Sequence, residues 1–182
     1  MTLIIVYNIL KGYFCSWQYL AIMIYILLIF FAHWVLSLFF HTAFLHRYGS
    51  HKMYTMHPFT EKVFYFCTWM FQGSSYLNPR AYAVLHRMHH DFSDTKQDPH
   101  SPHFFKDIFH MMMHTKKIYN DFLTGKKTPD SKYCYDLPSW PMMDKIGDYW
   151  LVRVSWIVLY TTVYLLLIYF QDLSYFWLLL LP

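Results

Sequence analysis

Three apolar stretches organise this chain around a polar middle. Residues 17–40 (WQYLAIMIYILLIFFAHWVLSLFF) contain no Lys, Arg, Asp or Glu. As a helix they reach ~36 Å at ~1.5 Å per residue, enough for a hydrocarbon core of about 30 Å. Residues 150–170 (WLVRVSWIVLYTTVYLLLIYF) form a second span of roughly 31 Å, with Arg153 near enough to its start to snorkel to the interface. After Gln171 and Asp172, residues 173–182 begin a third apolar run that stops at Pro182. It is too short to cross a bilayer and reads as the start of a further transmembrane helix, so the chain is expected to be C-terminally incomplete.

Between the spans, residues 61–77 (EKVFYFCTWMFQGSSYL) are apolar but short, which predicts a helix lying in or dipping into the membrane interface. If this stretch crossed the bilayer, the histidines after it would be separated from His41 and His46. Residues 124–141 read as a loop leading to a short interfacial helix before Trp150. The expected fold is all-α. It is a single, partial membrane domain over residues 1–182, with transmembrane helices at 17–40 and 150–170 and a helical cytoplasmic cap at 41–149. No basic region precedes the N-terminal MTLIIVYNIL and no small-residue cleavage site follows it, so a removable signal peptide is not expected.

Composition supports this reading: 56% of residues are hydrophobic, 23% aromatic and only 14% charged. Charge assigns the sides. Thirteen of the fifteen Lys and Arg residues lie between Arg47 and Lys145, and only Lys11 precedes the first span. By the positive-inside rule the middle segment is cytoplasmic, in a bacterial inner membrane or, as the second choice, the endoplasmic reticulum. The bases are interleaved with acids, which excludes a nucleic-acid-binding stripe and suits a lipid surface. Cys15, Cys67 and Cys134 stand far apart and form neither a disulfide framework nor a zinc ribbon.

Chemistry enters with the histidines, all twelve of which fall between positions 33 and 114. His86, His89 and His90 have i, i+3, i+4 spacing and share one helical face, so they can reach one metal ion or bridge toward two. His41 and His46 are five residues apart, about 140° around an ideal helix. They could meet at one ion only through a helix end or a π-bulge, or could serve two different ions. Imidazole suits iron, zinc or copper, and no thiolate stands nearby to suggest structural zinc. Asp91, Asp94 and Asp98 follow the cluster and could accept imidazole N–H groups. His33 is read as packing, His110 and His114 as a solvated helix face, and His51, His57, His100 and His103 as surface or supporting groups.

The segments His41-Thr-Ala-Phe-Leu-His46-Arg47, His86-Arg87-Met88-His89-His90, Ser93-Asp94-Thr95 and Asp98-Pro99-His100 resemble the first two histidine boxes of the membrane fatty acid desaturases, particularly the acyl-CoA type. The resemblance runs from about position 39 to 103. It implies that His41, His46, His86, His89 and His90 are ligands of a non-haem centre of two iron ions; Asp94 and Asp98, from their place after the cluster, are the candidates to support them. It also implies O2 as co-substrate and a fatty acyl chain, carried as acyl-CoA or acyl-lipid, as the molecule desaturated. The family's third box and a further upstream histidine have no counterpart here, so weak or absent activity is expected of residues 1–182 alone. Electrons would come from a cytochrome b5- or ferredoxin-like donor, since no flavin or haem motif is present. Lys52, Arg80 and Lys96 are candidate contacts for the polar carrier. Two alternatives use related residues: a di-iron hydroxylase of alkanes, sterols or carotenoids, and a membrane metal-binding, transport or haem-carrier protein.

Overall fold

The computed structural model describes the backbone of residues 2–171 and the side chains of residues 19–170. The expected third apolar run at 173–182 lies outside the described residues. Among the described residues all regular structure is helical: α1 (Thr2–Phe40), a π-helix (His41–Ser50), α2 (Pro58–Gln72), α3 (Pro79–Asp91), α4 (Ile108–Leu123), α5 (Pro141–Asp148) and α6 (Trp150–Gln171). Short 3-10 turns fall at Gly73–Ser75, Pro102–Phe104 and Ser131–Tyr133. The chain divides into two compact units.

One unit comprises α1 up to Leu36 and α6 from Trp156 onward. Both helices are long and apolar enough to cross a membrane. They pair through a thin seam in which Ile26, Tyr164 and Ile168 are buried, and the His33 ring meets Tyr160 edge-on at 5.5 Å. Among the described side chains, most of the remaining surface is exposed Leu, Ile, Val, Phe and Trp, a composition suited to lipid rather than water.

The second unit, Ser37–Ser155, carries the polar residues. Its core is aromatic: Phe44, Leu45 and Tyr48 of the π-helix pack on Tyr65 of α2, Tyr76 and Met143 of α5. Phe40, at the end of α1, stacks on Phe71 at 5.5 Å and meets Phe64 edge-on at 5.4 Å. Helix α2 starts three residues before the expected stretch, because Pro58 occupies its first turn and His57 Nδ1 accepts the Phe59 N–H at 3.3 Å. Its 15 residues span about 22 Å, short of a bilayer crossing. One face buries Tyr65, Thr68 and Gln72, and Phe59, Val63, Phe66 and Met70 form an exposed apolar stripe.

Helix α3 carries the second histidine group, and Asn78 fixes where it begins. Its Oδ1 accepts from the N–H groups of Arg80 (3.0 Å) and Ala81 (3.2 Å), capping the helix ahead of Pro79. The same amide donates through Nδ2 to Asp144 (2.9 Å) and Asp148 (2.8 Å) of α5. Burial raises the pKa of both carboxyls, so these contacts stabilise charge held partly out of water. Asn78→Ala removes the cap and both donors together, and an expected loss of about 2–3 kcal/mol is measurable as a lowered thermal midpoint in detergent.

Candidate metal centre

Imidazoles converge where the π-helix meets α3. Helix α3 presents His86 and His90 one turn apart, with ring centroids 4.6 Å from each other and Nε2 atoms 3.0 Å apart. The π-helix supplies His46 and the residue just past its end, His51, whose Nε2 atoms are 3.2 Å apart. His51 Nε2 also lies 3.1 Å from His86 Nε2. One ring nitrogen from each of these four residues lies within 4.8 Å of all the others.

The backbone explains how residues five apart can meet. On an α-helix His46 and His51 would diverge by about 140°. Here the His51 N–H bonds the His46 carbonyl at 3.1 Å, closing an i→i+5 turn that returns position 51 to the face of position 46. The two rings consequently meet edge-on at 4.6 Å.

The donor set fits a transition-metal ion. Two imidazole nitrogens bound at about 2.0–2.1 Å are about 2.9 Å apart at a right angle and about 3.3 Å apart at the tetrahedral angle, which brackets the three short contacts. Without a cation the same contacts are difficult to satisfy. A neutral imidazole has one N–H, and His86 Nε2 faces two nitrogens at once. Burial, followed by repulsion from His46, His90, His51 and His89, pulls the pKa of His86 down to about 3. Burial and the neighbouring cationic forms of His46, His90 and Arg87 also lower that of His51. At neutral pH the His86 and His51 rings are therefore unprotonated and offer lone pairs.

His89 stands outside this group of four but is strongly oriented. Its Nδ1 lies 2.8 Å from Oδ1 of Asp98, whose side chain is fully buried. The carboxylate also accepts the backbone N–H groups of His100 (2.8 Å) and Asp94 (3.1 Å). Burial alone would raise the Asp98 pKa; the hydrogen bonds from His89 and the two amides outweigh it and hold the carboxyl below its usual range. An ionised acceptor on Nδ1 places the ring proton there and leaves Nε2 as a lone pair, the arrangement typical of metal-binding histidines.

His41 is differently placed. The buried Gln72 accepts the Leu77 N–H through Oε1 at 3.0 Å, which turns its amide nitrogen toward His41 Nδ1 at 3.4 Å. His41 Nε2 lies 3.2 Å from the Tyr82 hydroxyl. Both ring nitrogens thus have protein partners. Of the five residues assigned as ligands by resemblance, the structure gathers His46, His86 and His90 into one cluster, sets His89 beside it on Asp98, and engages His41 with Gln72 and Tyr82. The fourth member of the cluster, His51, was read from the sequence as a surface or supporting group. One signal could have found it: the His-x4-His spacing of His41 and His46 recurs at His46 and His51, each of the latter followed by a basic residue.

The other polar candidates disperse. Asp94 donates its backbone N–H to Asp98, and its carboxylate accepts from the Ser101 hydroxyl (3.4 Å) and lies 3.6 Å from His103 Nε2. Lys52 pairs with Asp136 at 3.1 Å and lies over the Tyr48 ring, Arg80 lines a separate cavity beside Asp144, and Lys96 is exposed. No contact among the described residues joins these three cations. A cleft of about 490 Å3 is lined by His51 and His90 of this histidine group together with Arg87, Lys132, Tyr133 and Tyr135.

Comparison with known proteins adds a partial match. A stretch of 62 residues is 39% identical to the chloroplastic palmitoyl-monogalactosyldiacylglycerol delta-7 desaturase of Arabidopsis thaliana. It makes up 34% of this chain and only 16% of that enzyme. No family model and no solved structure matches the chain. The similarity supports a relationship to the fatty acid desaturases and nothing finer.

Proposed function

We propose that the chain is the metal-binding part of a membrane fatty acyl desaturase, an O2-dependent oxidoreductase with two iron ions. The observation that carries this reading is the convergence of His46, His51, His86 and His90 in a chain partly similar to a desaturase. These four residues would hold one ion, and His89, oriented by Asp98, would contribute to a second. Bound iron supplies the oxidising power needed to take hydrogen from an unactivated methylene pair, which no amino-acid side chain can provide.

The protein's own residues supply position and charge. The low pKa of His86 keeps its lone pair available at neutral pH, and Asp98 keeps the His89 proton on Nδ1. The apolar helices α1 and α6 suit a bilayer setting, where an oily acyl chain is already concentrated. The matched relative is named for a palmitoyl lipid, which favours a fatty acyl substrate over an alkane or sterol. The orientation proposed for residues 41–149 is cytoplasmic, facing a cytochrome b5- or ferredoxin-like donor, with α2 resting its exposed apolar stripe in the interface.

Metal analysis together with lipid analysis tests this reading. Purified full-length protein is expected to retain about two irons per chain, and cells expressing it should accumulate new monounsaturated acyl chains under air. Stoichiometric zinc or haem, or iron without any change in acyl unsaturation, would sink it.

A further inference from the structure

Arg87 lies next to His86 in α3, points to the adjacent side of the helix and is 9% exposed. Its Nε donates to the Ser50 carbonyl at 2.9 Å and its Nη2 to the Gly49 carbonyl at 2.9 Å. Its Nη1 donates to the carbonyls of Tyr133 (2.9 Å) and Tyr135 (2.7 Å), and the Tyr135 ring lies 4.1 Å from the guanidinium carbon. Four of its five N–H groups thus go to backbone oxygen, and it has no ion-pair partner among the described residues. A buried cation committed wholly to carbonyls serves geometry rather than charge pairing.

Two of those carbonyls, Gly49 and Ser50, end the π-helix immediately before His51. The last carbonyls of any helix lack partners within it, and a cation at that end is also favoured by the helix dipole. His51 is the first residue past those carbonyls, so the path of the helix end sets where its ring stands. Its side chain is exposed, and the ring contacts described for it are with other imidazoles: His46 at 4.6 Å, His86 at 5.0 Å and His90 at 4.7 Å.

We propose that Arg87 is a positioning residue of the metal centre: by gripping the end of the π-helix from α3, it holds His51 against His86 and His90. The proposal rests on the reading of these histidines as ligands. One helix thereby supplies two ligands and the clamp that sets a third. Lysine keeps the charge but lacks the fork needed to reach Gly49 and Ser50 together.

A double-mutant cycle with Co2+ as probe tests it on the full chain in detergent, with helix content followed by far-UV circular dichroism. Arg87→Lys should weaken Co2+ binding at least about tenfold while leaving the helical signal intact. If Arg87 acts through His51, Arg87→Lys should cost nothing more once His51→Ala is present. Equal losses in both backgrounds, or wild-type affinity in Arg87→Lys, overturn the proposal while leaving the metal centre in place. General loss of helix in both Arg87→Lys and Arg87→Gln also overturns it, by assigning the residue to the fold as a whole. Failure of the unsubstituted chain to bind Co2+ removes the underlying metal reading itself.

Discussion

His51→Ala is expected to weaken metal binding about a hundredfold or more, and His41→Ala to leave it within a few-fold of the unsubstituted chain. The contrast follows from what each ring touches. His51 Nε2 lies within 3.2 Å of both His46 Nε2 and His86 Nε2, so its removal takes a donor from the cluster. Loss of a supporting group outside a metal's ligand shell already costs 10–100-fold as a rule, and loss of a ligand costs more. His41 already has partners on both nitrogens: Gln72 donates to Nδ1, so the ring proton sits on Nε2, beside Tyr82. Calorimetric or spectroscopic titration with Co2+ distinguishes the two variants. Equal losses would mean that His41 exchanges its protein partners for the ion, and the cluster of four would need to be redrawn.

Asp98→Ala is expected to affect stability and metal binding together. The side chain is fully buried and accepts three hydrogen bonds, from His89 Nδ1 and the amides of His100 and Asp94. Without the carboxylate, three donors are left in a space that water enters poorly, and removal of one partner from such a buried network costs about 3–5 kcal/mol. His89 also loses the acceptor that fixes its tautomer, which should reduce affinity for the ion it serves by roughly 10–100-fold. Asp98→Asn separates the two effects: an amide oxygen can still accept from His89, but the charge is gone. A lowered thermal midpoint in both variants, larger for Asp98→Ala, is the expected result. An unchanged midpoint in Asp98→Ala would show that the Asp98 contacts carry no weight.

Much of the helical plan was readable in advance. The apolar stretch 17–40 lies within α1 and 150–170 within α6, because an uninterrupted run of such residues has no stable state in water except inside a helix facing apolar surroundings. The polar middle appeared as helices and turns, and Pro58 and Pro79 mark the starts of α2 and α3. His86, His89 and His90 were legible as a group because i, i+3, i+4 neighbours are fixed by one helical turn.

The partners of that group were not legible in the same way. A regular α-helix sends residues five apart in different directions, so the pairs 41/46 and 46/51 look equally unsuitable on paper. The π-helix changes this for both pairs, and the long-range contacts then separate them. Gln72 and Tyr82, 31 and 41 positions away in sequence, engage His41, whereas His86, 35 positions from His51, faces His51. The three carrier candidates illustrate the same limit. Lys52, Arg80 and Lys96 shared only a sign of charge in the sequence, and the fold commits Lys52 to Asp136 and sets Arg80 beside Asp144.

Helical character, the suitability of two segments for a bilayer and the shared face of His86, His89 and His90 all follow from the order of residues along the chain. Each of these depends on local periodicity, which operates over a few residues whatever the rest of the chain does. Which imidazoles converge, the seating of His89 on Asp98 and the closure of the π-helix end by Arg87 come instead from the folded chain. Those outcomes depend on distances between segments tens of residues apart, set by which buried polar groups find partners and which carbonyls are left over when a helix ends.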